Sequence, residues 1–240
     1  MKRYKLTTQD MRTRPYERNE TRWVVGKWVE AIGDPEQGLC SDAYIHWYDD
    51  PLLAILLNPV HACLDNPRLW EVETEGKELT DEQAKGGSRR VRLVREIDVP
   101  EITMEMCVTF AILCVKVVYQ DREWNTWADR WLSGEDRTKA AARIVADAAD
   151  TAAYGAARDA YAAAPDAAAL AAALADAYAA DAATRAAARA AALAARYAAG
   201  YGTVADATHT AAYVAINAAA TGVNLKKIVS EAILQMGDRQ

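Results

Sequence analysis

None of the short signatures that announce a catalytic centre occurs in these 240 residues. There is no glycine-rich phosphate loop, no Gly-x-Gly-x-x-Gly fingerprint, no nucleophile elbow and no His-Glu-x-x-His pair. The corresponding nucleotide, hydrolase and zinc-peptidase chemistries lack the residues they need. No apolar run follows the opening Met-Lys-Arg-Tyr-Lys-Leu-Thr-Thr, which argues against a secretory signal. The four cysteines are therefore expected to be free thiols in a cytoplasmic protein, with Cys107 and Cys114 in the core. The charge-free window 207–225 contains Thr208, His209, Thr210, Asn217, Thr221 and Asn224, and is too polar to span a membrane. A net charge of −6 argues against general nucleic-acid binding. No cofactor and no resident metal are expected.

Lysine and glutamate are also missing from residues 140–220, where alanine makes up more than half of the chain. Alanine has the best helix propensity, so the tract reads as helix. Pro165 and the Gly200/Gly202 pair divide it into arms over 135–164, 166–199 and 203–220. A closing amphipathic helix follows, with Leu225, Ile228, Val229, Ala232 and Ile233 on its apolar face. In the second arm the larger residues form a ladder through Leu170, Leu174, Tyr178, Asp181, Arg185, Arg189, Leu193 and Tyr197. Another sector, Ala172, Ala179, Ala183, Ala190 and Ala194, carries methyl groups only. Such a face suits close helix–helix packing, near the short end of about 8–10 Å between axes. An ice-binding surface would call for regularly spaced threonines, and only Thr184 lies within this arm.

Ahead of the tract the pattern changes. Short strands are expected at 4–6, 22–31, 43–47, 69–74 and 90–97, with Trp23, Val25 and Trp28 as core residues and a bend at Gly26. Arg12, Arg14, Arg18 and Arg22 make the N-terminal region locally basic, as a solvated arm or as a phosphate contact. Asp50 and Pro51 open a helix over Leu52 to Leu57 that Asn58-Pro59 is expected to stop. A polar connection at 80–87 and an apolar helix from Pro100 to about Tyr119 complete this part. Trp124, Trp127 and Trp131 then share one helical face, ended by Ser133-Gly134, and read as a joint between two packed parts. The expected fold is an α+β domain over 1–100, connecting helices over 101–134, and an all-α bundle of alanine-rich helices over 135–240, with helix the majority.

Several stretches resemble a family of phage and prophage proteins of unknown function: Tyr4-Lys5-Leu6-Thr7, Tyr48-Asp49-Asp50-Pro51-Leu52-Leu53-Ala54, Leu69-Trp70-Glu71-Val72-Glu73, Val91 to Glu96 and Trp131-Leu132-Ser133-Gly134. That family joins a small β-rich domain to an alanine-rich tail. The run Thr203 to His209 is similar to alanine-rich helical proteins described as immunity proteins. Neither resemblance carries a known reaction, and the expected role is a phage-type binding or assembly protein without a recognisable catalytic site, with a protein partner or self-association. Because alanine-faced helices bury little apolar area each, at least a dimer is expected. An immunity or counter-defence protein is a second reading. A third is a nucleotide or ADP-ribose enzyme, from a loose similarity in the order of elements that would use His46 and Glu96. Cys40, His46, His61 and Cys63 hold zinc donor atoms, but five residues and then one residue separate the pairs, which is no standard knuckle. Less than stoichiometric zinc is expected.

Overall fold

The computed structural model describes residues 2–14, 20–81, 84–163, 167–219 and 222–237, with side chains outside 153–182 and 235–237. The fold is α+β, and the chain divides into two units. The first comprises Met1–Ile102 and Asn224–Val229, the second Thr103–Val223 and Ser230–Gln240.

The first unit is built on a twisted antiparallel sheet. Its strands are β1 (Arg3–Thr7), β4 (Trp28–Glu30), β5 (Ile45–Trp47), β6 (Arg68–Thr80) and β7 (Gly86–Ile97), in the order β1-β6-β7-β4. β5 pairs with the start of β7, on residues Gly86, Gly87 and Ser88. A two-stranded ribbon, β2 (Arg12–Thr13) with β3 (Thr21–Arg22), stands apart from the sheet. Alternation along β6 and β7 puts Trp70, Val72, Val91 and Leu93 on one face, where they form a core with Trp23 and Trp47. Arginine and glutamate occupy the other face in matched register: Glu71 opposite Arg95, Glu73 opposite Arg92, Glu75 opposite Arg90. Each of these pairs is an ion pair. Cross-strand pairs of this kind contribute roughly 0.2–1 kcal/mol apiece.

β6 runs on to Thr80, beyond the strand expected at 69–74, because its pairing with β7 continues with Glu78, Leu79 and Thr80 opposite Ser88, Gly87 and Gly86. The polar connection shrinks to 81–85, closed by Asp81 accepting from the backbone of Ala84 and Lys85. The strand expected over 22–31 is instead two short pieces, split by a turn in which Gly26 has φ +79°. That turn leaves Val25 exposed and Trp28 half-buried, while Trp23 is buried as expected.

Helix α1 (Pro51–His61) opens as its sequence suggests, with Asp50 accepting from the Leu53 amide at 3.0 Å. It does not stop at Asn58-Pro59. Proline removes one backbone donor in the last turn, yet the Asn58 carbonyl still accepts from Ala62 and Cys63. The Asn58 side chain also brackets both backbone groups of Leu64, so the final turn stays closed.

The second unit centres on α2 (Met104–Val118), which is buried without a break from Cys107 to Val115. A helix that is apolar all round must be covered on every side. It is flanked by α3 (Arg122–Ser133), α5 (Ala167–Ala198) and α6 (Val204–Ala219), and α4 (Lys139–Ala163) lies along α5. Gly134, at φ +85°, ends α3 where Ser133-Gly134 indicated. The closing helix α7 (Leu225–Gly237) buries Leu225, Ile228, Val229 and Ala232 but leaves Ile233 exposed.

The alanine-rich arms therefore do not make an all-α bundle of their own. Methyl-sized side chains bury little apolar area each, at about 0.8 kcal/mol per buried carbon. The larger side chains of α2 and α3, among them Phe110, Ile112, Trp124 and Trp131, supply the bulk of the fully buried volume in this unit. The N-terminal end of α7 belongs to the first unit, where Lys226 pairs with Asp49.

Candidate functional site

The first unit carries a cavity of about 450 Å³, within the range of small-molecule sites, about 300–1,000 Å³. Lys5 and Leu6 of β1 form one part of its wall, and Thr13, Arg14, Glu20 and Thr21 of the ribbon another. The segment after β4 supplies Ala31 and Ile32, and β5 with its flanks supplies Tyr44, His46 and Tyr48. The end of α1 closes it with His61 and Cys63.

Lys5 is the unusual member. Only 9% of it is exposed. Its Nζ donates to the His46 carbonyl at 2.9 Å and lies 5.4 Å from the Trp23 ring centroid. It has no carboxylate partner among the described residues. Burial lowers its pKa from the usual lysine value to about 7, and repulsion from Arg14 adds to the effect. His46 and His61 are likewise driven down to about 4, in each case chiefly by burial. For His46 the charges of Lys85, Lys5 and Arg14 push in the same direction. Three carboxylates line the same cavity: Asp42, paired with Arg14 at 3.3 Å, Glu20, paired with Arg12 and Arg22, and Glu30.

Burial favours the neutral form of both histidines, and the partner of His46 also fixes its tautomer. His46 Nε2 lies 2.6 Å from the Leu39 carbonyl, which can only accept, so Nε2 carries the proton. His61 Nδ1 lies 2.9 Å from the Tyr48 hydroxyl. Arg14 and Cys63, both lining the cavity, hold left-handed backbone at φ 51° and 50°. Conformations of this kind concentrate at ligand sites and cost of order 1–3 kcal/mol each. A guanidinium holds the loop that forms one wall: Arg89 Nη1 donates to the Gly33 and Ala43 carbonyls at 2.8 and 2.7 Å, and Nη2 to Ala31 at 2.9 Å.

The residues singled out from the sequence fall as follows. His46, His61 and Cys63 meet at the cavity, whereas Cys40 is exposed and not part of its lining. No group of three or more His, Cys, Asp or Glu side chains suited to a metal ion occurs among the described residues. Glu96 pairs with Arg68, not with Arg95 or Lys85, and stands outside the cavity that holds His46. Of the N-terminal arginines, Arg14 reaches the cavity, and Arg18 lies outside the described residues.

Ala183, Ala190 and Ala194 are buried, at 8%, 0% and 0% exposure, and the side chains of Ala172 and Ala179 lie outside the described residues. Arg185, Arg189, Ala192 and Arg196 form the exposed stripe of the same helix. Trp124, Trp127 and Trp131 are all buried in the second unit. Trp124 Nε1 donates to the Ala187 carbonyl at 3.2 Å, and Trp131 meets Tyr197 edge-on. No helix among the described residues is long and apolar enough to cross a membrane.

Lys5 itself was not a sequence candidate. A single lysine in a short strand looks like any solvated one, and nothing local announces that α1 and the ribbon cover it. Comparison with protein-family models, curated proteins and solved structures finds no match to this chain.

Proposed function

We propose that this chain is a binding protein whose first unit holds a small anionic ligand, a phosphate or carboxylate group, at the floor of its cavity. The supporting observation is the buried Lys5 amine, which has no counter-charge among the described residues and faces a space large enough for a ligand. An anion there would pair with Lys5, gain from the neighbouring Arg14, and relieve the cost of burying an isolated ammonium. Its binding would be coupled to proton uptake by Lys5, because the ion pair restores the amine to its charged form.

Isothermal titration with inorganic phosphate and with a small dicarboxylate tests this directly. The wild-type chain is expected to bind at least one of them at millimolar concentration or tighter, taking up protons near pH 8. Lys5→Met is expected to lose the heat while melting at the same temperature or higher. Absence of both heat and thermal stabilisation in the wild-type chain with either anion would overturn the reading.

A further inference from the structure

We infer that Lys5 captures its ligand covalently, as an imine with a small aldehyde or ketone that also carries the anionic group. The inference rests on the anion-binding reading of the same cavity and adds the chemical class of the ligand to it.

Three features of the site point this way. Lys5 ends in a cavity of about 450 Å³ that is walled on several sides, not on an open surface. No carboxylate holds its nitrogen in the ammonium form, and burial keeps the uncharged amine accessible near neutral pH. An amine desolvated beside a second cation is the arrangement that makes a lysine nucleophilic. The third feature is the fixed acceptor. The His46 carbonyl lies 2.9 Å from Nζ and orients the nitrogen, while Arg14, paired with Asp42 at 3.3 Å, lines the same cavity.

The step balances without a further reagent. The amine nitrogen forms a bond to the carbonyl carbon, whose oxygen takes a proton to give a carbinolamine. Water then leaves, and a protonated imine remains. Starting from the ammonium, one water is released and the single positive charge stays on nitrogen. The product keeps one N–H, which can still donate to the His46 carbonyl. Nothing is oxidised or reduced, and the capture is reversible.

Pyridoxal 5′-phosphate, which joins an aldehyde to a phosphate, is a suitable probe for the full-length chain. The chain has nine lysines, so selectivity is the readout. After incubation with one equivalent near pH 7.5 and borohydride reduction, peptide mass mapping is expected to place most of the label on Lys5. Excess inorganic phosphate is expected to suppress that label by at least about fivefold. If phosphate binds by calorimetry but Lys5 is labelled no more than the other lysines, the imine is wrong and the anion site stands. Even labelling together with no phosphate binding overturns both. Protection is measured on the unaltered chain, so a variant that failed to fold would not blur the result.

Discussion

Arg89 shows how much one side chain can decide. Its three hydrogen bonds go to backbone carbonyls of a loop that has few ladder bonds of its own. That loop carries Ala31, Ile32, Asp42 and Tyr44 into the cavity wall. Replacing Arg89 by Met keeps much of the aliphatic stem and removes every donor. The expected loss is about 1.5–3 kcal/mol, the usual size for hydrogen bonds to charged groups. Urea denaturation would measure it, and anion binding should weaken in parallel because the wall is no longer held. Lys at this position should rescue little, since a single ammonium cannot match the planar fork that spans three carbonyls. None of this is visible in the sequence: Arg89 sits in a run with Arg90, Arg92 and Arg95, whose partners are glutamates. Only the fold separates the clamp from the cross-strand pairs.

At the scale of the element, α5 shows what alanine does. Between Ala183 and Ala195 its surface is buried except at Arg185, Arg189 and Ala192. Alanine at Ala183 and Ala190 therefore serves close approach as well as helix propensity. Substituting leucine at either position forces three further carbons into space sized for a methyl, a change that typically costs about 1–3 kcal/mol. Leucine is nearly as good a helix former as alanine, so propensity cannot produce the loss. Arg189→Leu, on the exposed stripe, should change stability by no more than about 0.5 kcal/mol. Thermal melts of the three variants check the prediction, and equal melting of Ala190→Leu and the parent would remove the packed face.

The helices were legible because their signals are local. Asp50 caps α1 and Gly134 closes α3 where their positions indicate, whereas α2 opens at Met104 on the Thr103 cap and not at Pro100. The strands were less so. Val25 belongs by composition to a strand and by structure to an exposed turn, because pairing with β7 begins only at Trp28.

For the molecule as a whole, the buried bases set the response to acid. Unfolded histidine titrates near 6.5 and folded His46 and His61 near 4. Between those values the unfolded chain binds protons that the folded chain refuses, so stability falls as pH drops from about 6.5 to 4. Lys5 acts with the same sign higher up: from about 7 to the unfolded value near 10.4, stability rises with pH. The melting temperature is therefore expected to be higher at pH 8 than at pH 5. The double variant His46→Gln, His61→Gln should flatten the acidic part of that curve. A pH profile by calorimetry measures both, and an unchanged slope in the double variant would show that the histidines are not its source.

What the sequence determined by itself is what depends on neighbours along the chain. Helix follows from alanine in the tract, the start of α1 from Asp50 and Pro51, the end of α3 from Gly134, and the two-faced character of β6 and β7 from their alternation. The tertiary structure decided everything that depends on residues far apart in sequence. It placed the valine-rich helix α2 and the tryptophan-rich helix α3 with the alanine arms, because methyl faces need larger side chains to fill a core. It also buried Lys5 beside His46, forty-one residues away, and so made a cavity floor from a strand that reads as ordinary. Burial is a property of the whole packing around a residue, and no local pattern of amino acids carries it.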